Sequence, residues 1–197
     1  MRLSALRSVF AAVALGLLVA SCGYNIIPTL EEQAKARWSE VQNQYQRRND
    51  LINNLVETVK GAANFEKSTL EAVVNARAKA TSIQLNPGDL SDPVKVKQFQ
   101  DAQNQLSGAL GRLIAVSENY PDLKANQNFL ALQSQIEGTE NRIAVARRDY
   151  ISSVQQFNTS LRTFPTVIWA KTIFSGSRPM AEFAADEGAS KPPQVKF

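Results

Sequence analysis

Apolar residues recur along most of this chain at steps of three and four, with no sustained alternation at steps of two. Leu30, Ala34, Trp38, Val41, Tyr45, Ile52, Leu55, Val59 and Ala62 form a first stripe, interrupted only at Arg48. Such steps place side chains on one narrow face of a helix. The spacing predicts a helix over 29–62, roughly 50 Å long at about 1.5 Å per residue. Thr29 and Glu32 have the spacing of a capping box at its start, and Gly61 is a candidate break. A second stripe, Phe65, Thr69, Val73, Ala76, Ala80 and Ile83, ends at the turn signal Asn86-Pro87-Gly88-Asp89. Asp92-Pro93 opens a third helix, with aspartate at the cap and proline at the first helical position. Its stripe is Phe99, Ala102, Leu106, Leu110, Leu113 and Val116, and Gly108 and Gly111 on or beside it are expected to let helices approach closely. Tyr120-Pro121-Asp122 ends this helix.

The fourth and longest signal runs through Phe129, Leu132, Ile136, Ile143, Ala146, Tyr150, Phe157 and Phe164 in seven-residue phase, stopped or bent by Pro165. Four amphipathic helices joined by short turns predict an all-α protein, an antiparallel four-helix bundle with long first and last helices. Strict seven-residue phase gives the long pair coiled-coil-like packing. From Lys171 onward the chain carries Gly176, Pro179, Gly188, Pro192 and Pro193 and reads as mostly irregular. Trp169, Phe174 and Phe183 stand in or near that tail, and docking onto the protein's own bundle is the expected role for them, with docking onto a partner as the alternative.

The leader changes the cellular picture. Arg2 and Arg7 precede an apolar stretch, Val9 to Ala20, followed by Val19-Ala20-Ser21-Cys22 with small residues before the cysteine. This is the layout of a bacterial secretion signal, and the apolar run is shorter than the roughly 20 residues that span a membrane. The junction resembles the lipobox of bacterial lipoproteins. That resemblance implies cleavage before Cys22, a diacylglycerol on its thiol and acylation of the new amino terminus, so several acyl chains would anchor the protein durably. A free thiol after ordinary cleavage, or an uncleaved signal anchor, are the alternatives; each leaves residues 23–197 outside the cytoplasm. The chain therefore divides into a signal peptide (1–21), a lipidated N-terminus and linker (22–28), a helical bundle (29–170) and the tail (171–197). Cys22 is the only cysteine, so an apolar core rather than disulfides must hold the domain.

Charge excludes one class of partner. Arg2 and Arg7 belong to the leader, so the 22 basic residues fall to 20 against 18 acids in the mature chain. No dense run of lysine and arginine suggests nucleic acid. The sequence has no histidine, the commonest general base and metal ligand. Glu137 and Glu140 share a helix face, but the Glu-x-x-His pairs of di-metal bundles are missing. No catalytic residues, metal or cofactor are expected.

Two similar clusters, Arg47-Arg48-Asn49-Asp50 and Arg147-Arg148-Asp149-Tyr150, each fall near the middle of a long predicted helix. Antiparallel packing would bring those midpoints together. Arg48 stands where an apolar residue belongs, and a charge there must find partners or stay exposed. An ion network between the long helices is expected from Arg47, Arg48, Asp50, Glu137, Glu140, Arg147, Arg148 and Asp149, either setting helix register or forming a pocket for an anion.

Long segments resemble the LemA family: Arg47-Arg48-Asn49-Asp50-Leu51-Ile52, Ala115-Val116-Ser117-Glu118-Asn119-Tyr120-Pro121, Glu137-Gly138-Thr139-Glu140-Asn141-Arg142, Arg147-Arg148-Asp149-Tyr150 and Phe164-Pro165. The resemblance covers nearly all of the mature chain. It implies an all-helical bundle attached to a bacterial envelope membrane, with no assigned catalytic activity. One relative is associated with building a bacterial organelle membrane, which leans toward a membrane scaffold. The family's usual proline is replaced by Asn53 here, which removes an expected kink from the first helix. The resulting expectation is a non-enzymatic envelope lipoprotein, a scaffold for as yet unidentified envelope proteins. The alternative is a periplasmic ligand-binding or sensory bundle, with a hydrolase ranking last. Gly23 after Cys22, in place of an aspartate retention signal, favours the outer membrane where two membranes are present.

Overall fold

The computed structural model describes residues 23–61 and 65–184. Cys22, the leader before it and the tail beyond Ala184 lie outside the described residues. Four long helices form the body: α1 (Ile26–Lys60), α2 (Lys67–Ser82), α3 (Pro93–Ser117) and, after the short α4 (Pro121–Lys124), α5 (Gln127–Ser160). A 3-10 turn (Pro87–Ser91) joins α2 to α3, and a six-residue α6 (Thr166–Lys171) follows α5. No strand occurs among the described residues.

The long helices α1 and α5 pack antiparallel along their lengths. Arg37 pairs with Asp149, Trp38 stacks near Tyr150 and Arg48 reaches Glu140, so residue numbers rise on one helix as they fall on the other. The antiparallel hairpin of α2 and α3 covers one side of this pair, with Lys79 bonded to Gln105 across it.

Local chemistry explains most boundaries. Asp92 caps α3 by accepting from Val94 N at 2.9 Å and Lys95 N at 3.3 Å, with Pro93 at the first position. Asn126 caps α5 in the same way, from Asn128 N and Phe129 N. Asn86 and Asp89 exchange capping bonds around the 3-10 turn. Three expectations are corrected. α1 begins at Ile26, a turn before Thr29, so the Thr29–Glu32 box does not form and no side chain caps this end. Gly108 and Gly111 are exposed, and a methyl group on either would meet nothing within 4 Å, so neither serves close packing. Phe164 is 77% exposed; α5 ends at Ser160, and the seven-residue phase stops mattering there. α1 runs unbroken through Asn53, where the family's proline would have removed a hydrogen bond.

The tail returns over the bundle. The Gln100 carboxamide donates to Ala184 O at 2.6 Å and accepts from Ala184 N at 3.0 Å. Asn158 does the same for Met180, at 2.8 and 2.9 Å. Ala181 N donates to Leu90 O at 2.7 Å, and the Tyr150 hydroxyl donates to Ala181 O at 3.1 Å. These bonds seat Phe183 against Trp38 and Tyr150, with ring centroids 6.0 and 5.5 Å apart. Trp169 and Phe174 pack at the edge of the same apolar cluster, so all three aromatics dock on the protein itself.

Burial pushes the Tyr150 phenol well above its ordinary value of 10.0, so it remains a neutral donor. A raised pKa in the folded state contributes stability that is complete below the unfolded value and is lost as the pH climbs above it. Tyr150→Phe is expected to cost about 0.5–1.5 kcal/mol at neutral pH and to flatten the alkaline fall in stability above pH 10, read by chemical denaturation across pH. Gly108→Ala and Gly111→Ala are each expected to stabilise the protein by about 0.5–1 kcal/mol. A lower melting temperature in either variant would mean that the position is packed.

Candidate functional site

The apolar interior is divided in two. One cluster gathers Trp38, Tyr45, Phe99, Ile143, Tyr150 and Phe157 with the docked tail. The other gathers Ile52, Leu55, Leu106, Leu113, Phe129 and Ile136. Between them lies a layer of buried polar groups, namely Arg48, Asn49, Gln103 and Thr139.

Arg48 is the centre of that layer and is 1% exposed. Its position between Tyr45 and Ile52 on the α1 stripe points the guanidinium inward. Nη1 donates to Glu140 Oε1 and to Ser107 Oγ, both at 2.8 Å. Nη2 donates to Gln103 Oε1, whose own Nε2 donates to Ala80 O at 3.2 Å. The guanidinium carbon sits 5.0 Å from the Tyr45 ring centroid, a cation–π distance. One α1 side chain thus touches α3 and α5 directly and α2 through Gln103. Arg48 Nε and Asn49 Oδ1 are buried without a hydrogen-bond partner among the described residues. Asn49 also lines an open groove of about 240 Å³ together with Tyr45, Thr81, Phe99 and Gln103.

The eight residues expected in one network separate. Only Arg48 and Glu140 form the buried ion pair. Asp149 pairs instead with Arg37, at 3.6 Å on the surface. Asp50 accepts from Gln46 and Glu137 from Gln133, both on their own exposed helix faces. Arg147 covers the Phe183 ring at 4.7 Å, so it serves the tail. Arg47 and Arg148 are exposed and make no ion pair among the described residues. The reason is helical geometry: neighbours in sequence stand about 100° apart around the axis, so adjacent charges cannot all face the interior. Gln103, Ser107, Asn49 and Thr139 complete the layer and were not foreseen as members. Thr139 had a signal, falling between Ile136 and Ile143 on the α5 stripe, and Gln103 falls between Phe99 and Leu106 on α3.

Among the described residues, no three carboxylate or thiol groups lie close enough to hold a metal ion, and no helix is long and apolar enough to cross a membrane.

The sequence model of the LemA family matches residues 37–197. Protein LemA of Metamycoplasma hominis is 30% identical over 128 residues, which is 65% of this chain and 54% of that protein. Magnetosome protein MamQ 2 of Paramagnetospirillum magneticum is 26% identical over 188 residues, covering 87% and 68% of the two chains. Magnetosome protein MamQ of Magnetospirillum gryphiswaldense is 26% identical over 160 residues, covering 72% and 58%. The chain thus spans little more than half of two of these relatives.

The layer makes a prediction about stability. Removing one partner of a buried pair strands the other, at a cost that is largest where the stranded charge has no access to water, whereas replacing both partners with apolar residues is often neutral or stabilising. Glu140→Ala is expected to cost about 2–3 kcal/mol, below the full penalty because the glutamate is half-exposed. Arg48→Met leaves a Glu140 that water can reach and is expected to cost less than Glu140→Ala. Urea unfolding of both variants checks the order, and an Arg48→Met protein less stable than Glu140→Ala would contradict it.

Proposed function

We propose, from the premise that the chain belongs to the LemA family, that it is a lipid-anchored scaffold of the bacterial envelope, presenting a stiff helical rod to other envelope proteins. The observation that carries this reading is the position of Gly23. It immediately follows Cys22 and packs into the end of the rod, where a Cβ would lie 3.5 Å from Pro165 and 3.6 Å from Thr166 and Trp169. An acyl chain on Cys22 would therefore hold a bundle about 50 Å long by its tip. Kinship with proteins named for the magnetosome supports work at a membrane. The buried layer around Arg48 suits a scaffold, because it penalises any slide of α1 against α5 and so sets one register. The candidate chemistry points the same way, since the chain has no histidine and its one thiol is the proposed lipidation site. On this reading the domain faces the periplasm or the exterior, from the outer membrane where there are two.

A second reading, a ligand-binding or sensory bundle, draws on the groove beside Asn49 and its unpartnered oxygen. A ligand seated there would raise the melting temperature by mass action, which a thermal-shift screen of envelope metabolites reads.

Metabolic labelling with a fatty-acid analogue is expected to mark the wild type and to leave Cys22→Ala unlabelled and largely released from membranes. Equal labelling of both would remove the lipid anchor from the proposal. Crosslinking in cells is expected to recover the same envelope proteins repeatedly, and recovery of none would count against the scaffold.

A further inference from the structure

Exposed apolar side chains are not scattered evenly over this molecule. Of the nine large hydrophobics exposed among the described residues, Tyr24, Ile26, Phe164, Ile168 and Ile173 lie at one tip of the rod. Antiparallel packing brings the start of α1 and the end of α5 to that tip, and α6 closes it. Tyr24 ties the group together, with its ring centroid 5.8 Å from Trp169 and 5.6 Å from Phe174. Arg162, just past the end of α5, and Lys171, at the end of α6, stand exposed there, and Arg178 lines the groove beside Glu31 and Lys35. Glu31 and Glu32, a turn or more into α1, share Lys35 at 2.9 and 2.7 Å, which offsets one of their two charges.

We infer that this tip is a membrane-seating collar, which rests in the headgroup region of the bilayer and stands the rod upright on it. The inference deepens the anchoring reading and rests on it. Three observations choose a bilayer over a protein as the occupant. The chain leaves the tip at Gly23, one residue from Cys22 and from an apolar leader, so the membrane attachment point and the apolar surface coincide. Tyrosine and tryptophan beside aliphatic side chains match the composition of membrane-interface belts. The basic rim complements anionic headgroups. Acyl chains supply affinity but leave the domain free to tilt about the tether; an apolar ring around the tether restricts that tilt by burying its own surface.

Tryptophan fluorescence tests the collar. The protein is isolated from bacterial membranes with its own N-terminus and placed in vesicles of phosphatidylethanolamine and phosphatidylglycerol, with or without bromine on the acyl chains. Bromolipid is expected to quench part of the wild-type emission. The loss should vanish in Trp169→Phe, whose remaining Trp38 is buried in the bundle. It should also vanish in a Phe164→Ser, Ile168→Ser, Ile173→Ser variant, which alters only exposed side chains and is checked for unchanged melting. Flotation with the vesicles reports anchoring separately. Wild type that floats without quenching overturns the collar and leaves the anchor standing, as would crosslinking of the tip to a second protein in those vesicles. Cys22→Ala that still floats with quenching overturns the lipid anchor and upholds the collar. A protein that neither floats nor quenches overturns both.

Discussion

A guanidinium held away from water costs several kcal/mol unless its donors are met. In this chain the two terminal nitrogens of Arg48 are met from α3 and α5 and, one residue further, from α2. Apolar stripes alone would let α1 and α5 slide against each other by a turn with little penalty, since each turn offers similar side chains. With Arg48 in place, such a slide would press the charge among Tyr45, Phe99 and Ile143 on one side or Leu55, Leu106 and Ile136 on the other. The division of the interior into two apolar halves follows from that one residue.

The docked tail uses a different device. The carboxamides of Gln100 and Asn158 each offer one donor and one acceptor to the backbone of a single tail residue, the pairing that a neighbouring strand would provide. An extended segment can thereby lie on a helical surface with its polar groups satisfied. Phe183 then adds a fourth ring to Trp38, Phe99 and Tyr150, and Arg147 covers it from outside. The apolar cluster around Trp38 is therefore built from early and late parts of the described chain, Ile27 to Phe183, which ties the tail to the integrity of the bundle.

The two ends of the rod are chemically unlike. One carries the end of α1, the start of α2 and the short α4. The other gathers the start of α1, α6, an exposed apolar ring and a basic rim. A tether at Cys22 and a surface suited to lipid at the same tip would leave the remaining length of the rod and its charged flanks free for protein partners.

Helical class, four long elements and the Asp92-Pro93 start were legible along the chain, because each depends on spacing or on residues within one turn, and the antiparallel meeting of α1 with α5 was legible from the short turns between successive helices. Arg48 announced itself as a charge on an apolar stripe. Its partners did not, because Ser107 and Glu140 lie 59 and 92 residues away and several other acids stood equally near in sequence. Only the rotation of each helix about its own axis chose Glu140 and turned Asp50, Glu137 and Asp149 outward. Gln100 and Asn158 were silent for the same reason, since a glutamine or asparagine on a helix looks alike whether it faces water or a returning segment of chain. Periodicity states which face of a helix is buried. Which polar groups meet across the interior is decided only when the faces are brought together, because hydrogen bonds depend on a few ångströms and on angle, and neither is written in the order of residues.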